Sequence, residues 1–158
     1  RQRLSVSSGE SITIGDNEIP FKSNVKNLGV VLDSQLSMEK QVSHLCRTVS
    51  FELRRIGMIR HLLSEKTAAQ LVCSSILSRL DYCNSLLAGI TSDQLSRIQR
   101  VQNNAARLIL RKKRSDHVTP LLKHLHWLPI KQRIEFKLAS LAYRGLTAEM
   151  SYLLSFFQ

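Results

Sequence analysis

The sequence predicts a mainly α protein, an antiparallel helical bundle preceded by a short β-hairpin and one further strand. Three observations carry that prediction. Apolar residues alternate with polar ones over roughly the first 36 positions, then recur at threes and fours, the periods of strand and helix. Ser, Thr and Pro stand where helices have to start. Gly stands where they have to stop. The reading divides the chain into a β-rich segment over 1–36, a helical unit over 37–146 and a C-terminal tail over 147–158.

The β segment opens with Ser11-Ile-Thr-Ile-Gly-Asp-Asn-Glu-Ile-Pro-Phe21, which alternates on both sides of Gly15-Asp16-Asn17 and so predicts a hairpin. A second run, Val25 to Leu32, reads as another strand ending at Asp33-Ser34. The first helix is expected from Ser37, whose hydroxyl can cap it, with Glu39 favourably placed in its first turn. Val42, Leu45, Val49, Leu53, Ile56 and Leu63 form one apolar stripe; Lys40, Arg47, Arg54 and His61, seven residues apart, fall on the opposite side.

A second helix is predicted from Ser64 to Gly89, the most apolar of the set, carrying Ala68, Leu71, Val72, Ile76, Leu80, Cys83 and Leu87. Thr91-Ser-Asp-Gln94 predicts a capping box for a third helix, with Leu95, Ile98, Gln102, Ala105 and Ile109 inward. Arg100, Arg107, Arg111 and Arg114 share its opposite face. Thr119-Pro120 is read as cap and first residue of a short helix to His126. Pro129 starts the last helix, with Ile130, Ile134, Leu138 and Leu141 inward and an end near Gly145.

Charge narrows the partners. The chain has 23 Lys and Arg against 12 Asp and Glu, a formal net charge of +11. Leu95 to Gln158 holds twelve of the cations and only three acids, so the excess is concentrated in the second half. That balance favours a polyanion or an anionic membrane surface as partner, with nucleic acid ahead of a merely solvated surface. A membrane span is excluded, because the longest uncharged helical run, Thr67 to Ser78, is too short. Cys46, Cys73 and Cys83 are too few and too irregular for a disulfide framework, and are expected to be buried thiols in a reduced, intracellular setting. The first residues lack the apolar block of a signal peptide. The chain does not open with Met and is expected to begin inside a longer protein.

Phosphodiester chemistry needs clustered carboxylates to hold divalent metal. No Asp-Asp or Glu-x-Asp pair occurs, and no glycine spacing fits a phosphate-cradling loop. His117, His124 and His126 lie close together without a Cys-x-x-Cys partner, and are read as surface or hydrogen-bonded histidines rather than zinc ligands. No cofactor, metal or catalytic residue is therefore assigned. The arginine row is different: guanidinium groups spaced along a rigid helix can follow a sugar–phosphate backbone. With Lys112 and Lys113 it runs into Arg111-Lys-Lys-Arg114, a tetrapeptide that also has the form of a nuclear localisation signal. Asp81, with Tyr82 and Asn84, interrupts the most apolar helix and is expected to pair with an Arg or with backbone donors.

Four blocks in order resemble the region after the active site of LINE-type non-LTR retrotransposon reverse transcriptases, the CR1- and jockey-like groups in particular. They are Val25-Lys-Asn-Leu-Gly-Val-Val-Leu-Asp33, Ser78-Arg-Leu-Asp-Tyr-Cys-Asn-Ser-Leu-Leu87, Arg97-Ile-Gln-Arg-Val-Gln-Asn-Asn-Ala-Ala-Arg-Leu108, and Asp116-His-Val-Thr-Pro-Leu-Leu122 with Leu125-His-Trp-Leu-Pro-Ile130 and Arg133-Ile-Glu-Phe-Lys137. The resemblance implies that the catalytic Asp pair belongs to a palm upstream of this chain. It implies that Leu28-Gly29 lies on a strand like the primer grip, and that the helices after Ser37 resemble the thumb that closes on template–primer duplex. On that reading the chain is non-catalytic and binds DNA–RNA or DNA duplex backbone without sequence specificity, through Lys40, Arg47, Arg54, Arg100, Arg107, Arg111, Lys112, Lys113 and Arg114. Its other partners are the palm and fingers of the parent polymerase, and its site is nuclear where the parent's role is retained. Ala88, where an aromatic residue often precedes the glycine, and the short stretch after Gly145 depart from the pattern. They keep open a helical protein-interaction module, or a decayed element fragment with no nucleic-acid role.

Overall fold

The computed structural model describes residues 4–7, 11–15 and 17–147. The expected tail beyond Thr147, residues 8–10, Asp16 of the first turn and the chain's first three residues lie outside that set. The fold is mainly α, with short antiparallel strands confined to the N-terminal part. The chain forms two compact units, Arg1–Lys40 and Gln41–Gln158.

In the first unit β1 (Leu4–Ser7), β2 (Ser11–Ile14) and β3 (Asn17–Pro20) form an antiparallel sheet in that order. The β2–β3 hairpin is the expected one, pairing Ile12 with Ile19, and its turn uses Gly15 at φ +61°. The run from Val25 to Leu32 is not one strand. It folds back on itself as β4 (Asn24–Asn27) and β5 (Val30–Asp33), pairing Val25 with Leu32 and Asn27 with Val30. Leu28 at φ +45° and Gly29 at φ +85° are the two turn residues, both left-handed as a type I′ hairpin requires.

After β5 the Asp33 carboxylate accepts from the Ser37 N–H (2.9 Å), the Met38 N–H (3.0 Å), the Gln35 N–H (3.1 Å) and the Ser37 hydroxyl (3.1 Å). The Ser37 hydroxyl in turn accepts from the Glu39 N–H at 3.3 Å. These contacts order the entry to α1 (Glu39–Ile59).

α1 buries Val42, Leu45, Val49 and Ile56, leaves Leu53 half-buried, and ends in a short 3-10 turn, Arg60–Leu62. Ser64 then caps α2 (Glu65–Val72), its hydroxyl accepting from the Thr67 N–H at 3.1 Å. The single helix expected to Gly89 does not form. α2 widens into a π-turn over Cys73–Leu77, resumes as α3 (Ser78–Asp81) and stops. Tyr82 is extended, Cys83 is left-handed at φ +51°, and a 3-10 turn follows over Asn84–Leu87. Serine hydroxyls explain the disturbance: Ser74 and Ser75 bond to the Leu71 carbonyl and Ser78 to that of Ser74, in competition with the helical ladder.

Thr91 and Gln94 form the predicted capping box of α4 (Ser92–Leu110), which buries Ile98, Val101, Gln102, Ala105, Ala106 and Ile109. α5 runs Val118–His124, starting two positions earlier than expected, so Thr119 is inside the helix rather than its cap. Pro120 still sits in the first turn, where its missing N–H leaves no bond unmade. Pro129 caps α6 (Ile130–Leu146), which buries Ile130 and Ile134 as predicted. Leu138, expected inward, is 40% exposed.

α1 and α4 lie side by side in the same sense. Arg97 Nη2 donates to the Ser43 hydroxyl at 2.7 Å, and Arg60 near the end of α1 reaches the carbonyls of Leu108 and Ile109 at the end of α4. Between them Gly57 faces Leu108 closely enough that a Cβ would meet its methyl at 3.8 Å. The cysteines are not the buried helical thiols anticipated: Cys73 is exposed, and Cys46 and Cys83 are half-buried.

Candidate nucleic-acid interface

The predicted cations separate into two groups. Lys40, Arg47 and Arg54 stand exposed on α1, and none has a hydrogen bond or ion pair among the described residues. Lys112, Lys113 and Arg114, in the turn after α4, are exposed with side chains equally unengaged. That turn is closed by Asp116, whose carboxylate accepts from the Lys113 N–H at 2.8 Å.

Three arginines expected to face solvent are drawn back to the protein. Arg100 remains exposed, but its Nε donates to the Ser96 carbonyl at 3.3 Å and Asp93 lies 4.0 Å away. Arg107 is half-buried and donates from Nη2 to the Asp116 carbonyl at 3.1 Å, bracing the turn. Arg111 is no longer helical: at φ +51° it terminates α4. Its Nη2 reaches the carbonyls of Arg60 (3.2 Å), His61 (3.4 Å) and Leu63 (3.4 Å). The shared helix face placed these residues together but gave no sign of the carbonyls that claim them, which for Arg111 lie at the end of α1.

Sequence reasoning also passed over Arg60. It is 8% exposed and donates to the carbonyls of Leu108 (2.9 Å), Leu63 (2.7 Å) and Ile109. Burial pushes its guanidinium below the usual value, and the nearby charge of Arg111 adds to that, yet arginine stays charged at any physiological pH. A signal existed: Arg60 lies four residues after Ile56, in line with the buried stripe.

Between α1 and α4 runs a shallow groove of about 460 Å³, lined by Ser50, Leu53, Arg54, Asn104 and Leu108. Hydroxyl, amide and guanidinium donors along such a groove are suited to phosphate oxygens. The acids do not oppose this. Each of the six among residues 41–147 already has a neighbour. Glu52 pairs with Arg55 (3.4 Å), Glu65 with His124 (3.2 Å), Asp81 with Arg133 (2.6 Å) and Glu135 with Lys131 (3.9 Å). Asp93 lies beside Arg100, and Asp116 serves the turn. Arg47, Arg54 and the 112–114 turn are therefore among the exposed cations that no acid among the described residues neutralises, as are Lys40, Lys66, Lys123 and Lys137.

Leu28 and Gly29, the primer-grip-like pair, occupy the tip of the β4–β5 hairpin rather than a strand, and Leu28 is 83% exposed there. Among the described residues no three His, Cys, Asp or Glu side chains gather in a way that could hold a metal. Nor is any helix among them long and apolar enough to cross a membrane. The chain matches no protein-family model, no curated protein and no solved structure.

Proposed function

We propose that the helical unit is a nucleic-acid-binding module, one that holds duplex by its sugar–phosphate backbone and carries no catalytic centre of its own. Within that class, the four sequence blocks make it the thumb of a LINE-type retrotransposon reverse transcriptase, with the β-rich segment as the end of the palm. The parent enzyme would be an RNA-directed DNA polymerase, and the remaining palm and fingers its natural partners.

The observation that carries the reading is the imbalance of partners. The acids of the helical unit are engaged locally, while Arg47, Arg54, Lys112, Lys113 and Arg114 are exposed without anions. Such cations release counterions from a phosphate backbone, so affinity falls by roughly an order of magnitude or more for a few-fold rise in salt. Filter binding of the chain to DNA–RNA duplex at two salt concentrations tests this. Salt-independent retention, or no retention at the lower salt, rejects the reading.

A second reading has its own observation. On α6, Phe136 (66%), Tyr143 (67%) and Leu146 (67%) form an exposed apolar row. A protein-interaction module would present such a face. Light scattering separates the two: self-association that added duplex does not change favours the interaction module.

A further inference from the structure

The motif around Asp81 is not absorbed by the backbone-binding reading. It lines a pocket of about 350 Å³ between the α3–Asn84 turn and α6, bordered by Asp81, Asn84, His126, Arg133, Phe136 and Lys137. That volume lies within the roughly 300–1,000 Å³ range of small-ligand sites.

Its polar groups are in unequal states. Asp81 is committed, taking a 2.6 Å bond from Arg133 Nη1, while Arg133 Nε also donates to the Leu128 carbonyl at 3.0 Å. The Asn84 amide oxygen is not. The residue is 5% exposed, and its Oδ1 is buried with no hydrogen-bond partner. Buried acceptors of this kind are rare in folded proteins, because each gives up its water without replacing it. A water molecule would satisfy Asn84, but it would not account for the rim. There Phe136 is 66% exposed, and Lys137 is exposed with no ion pair among the described residues.

We propose that this pocket holds an unpaired nucleobase with its phosphate at the rim. A primary amide offers a donor beside an acceptor, the arrangement that pairs with a base edge such as N6 and N7 of adenine. An exposed aromatic ring is the stacking platform of single-strand binding sites. Lys137 supplies the cation for a phosphate. With Asp81 neutralised by Arg133, no free carboxylate repels that group. The site stands apart from the α1–α4 groove and does not depend on duplex binding there.

The test titrates AMP and, separately, ribose 5-phosphate into the ¹⁵N-labelled full chain, following the side-chain amide of Asn84 by NMR. AMP is expected to shift that resonance and ribose 5-phosphate to leave it in place. Asn84→Ala is expected to abolish specific AMP binding, and Phe136→Ala, an exposed position that does not threaten folding, to weaken it by about tenfold or more. Arg54→Ala is expected to leave it unchanged, which keeps this result separate from any failure of duplex binding. Equal binding of both probes, an unmoved Asn84 amide, or full AMP affinity in Phe136→Ala overturns the proposal.

Discussion

Arg60 and Arg111 close each other's helix ends. The Arg60 side chain, from the end of α1, binds the Leu108 and Ile109 carbonyls that terminate α4, and Arg111, from the end of α4, binds the carbonyls of Arg60, His61 and Leu63. Because α1 and α4 run in the same sense, two negative helix ends meet here. Each receives a cation from the other.

Arg60→Met removes bonds to three carbonyls at a buried site and leaves those acceptors without donors. The expected loss of stability is about 3 kcal/mol in urea unfolding. Arg60→Lys keeps the charge, yet one ammonium cannot span the three acceptors, so it is expected to recover less than half of that loss. Wild-type stability in Arg60→Met rejects the arrangement.

Arg54 and Arg111 are expected to part company when each becomes Ala. Arg54→Ala changes stability by less than about 0.5 kcal/mol, because its side chain has no partner within the described protein. It should lower the slope of log affinity against log salt for duplex by roughly one. Arg111→Ala should cost about 1 kcal/mol of stability with little change in that slope. Paired melts and salt titrations read both quantities.

Leu28→Asn is expected to stabilise the β4–β5 hairpin by about 0.5–1 kcal/mol, since Asn-Gly suits the two left-handed turn positions and Leu at φ +45° does not. Thermal melting measures the gain. If Leu28 also touches primer, the same variant weakens duplex binding.

Asp33 makes the entry to α1 sensitive to acid. Its carboxyl pKa is held below the ordinary value chiefly by the Ser37 backbone N–H, and opposed by desolvation. A lowered folded pKa means that the stabilisation is fully present above the unfolded value of about 4 and is lost as pH falls through the lower folded value. The Ser37 and Met38 amide resonances should therefore shift with a midpoint below pH 4. Asp33→Asn should remove that transition.

Asp81 and Arg133 are expected to be coupled by about 1 kcal/mol in a double-mutant cycle with Asp81→Asn and Arg133→Met. The estimate stays modest because Asp81 is 43% exposed at its side chain, where solvent screens the pair. Additive effects would show that the 2.6 Å contact contributes nothing net.

Much of the fold could be read locally. The Thr91–Gln94 box, the Ser64 cap, the Pro129 start and the α1 stripe are each specified by residues within a turn or two of one another. The long second helix was misread because a helical apolar pattern carries through Cys83 and Leu87, while the serine hydroxyls that disturb it act on carbonyls three and four residues back. The candidate site was half legible. Position along a helix identified Arg47 and Arg54 as exposed, but gave no means of knowing that Arg107 would find the Asp116 carbonyl or that Asn84 would line a pocket.

By itself the sequence determined the mainly helical class, the helix starts and the concentration of positive charge, since propensity, capping and composition are properties of short stretches of chain. Only the tertiary structure decided which arginines remain free. A guanidinium goes to whichever unpaired carbonyl the packing brings near, and the parallel approach of α1 and α4 placed such carbonyls beside Arg60 and Arg111, while among the described residues Arg47 and Arg54 bond to none.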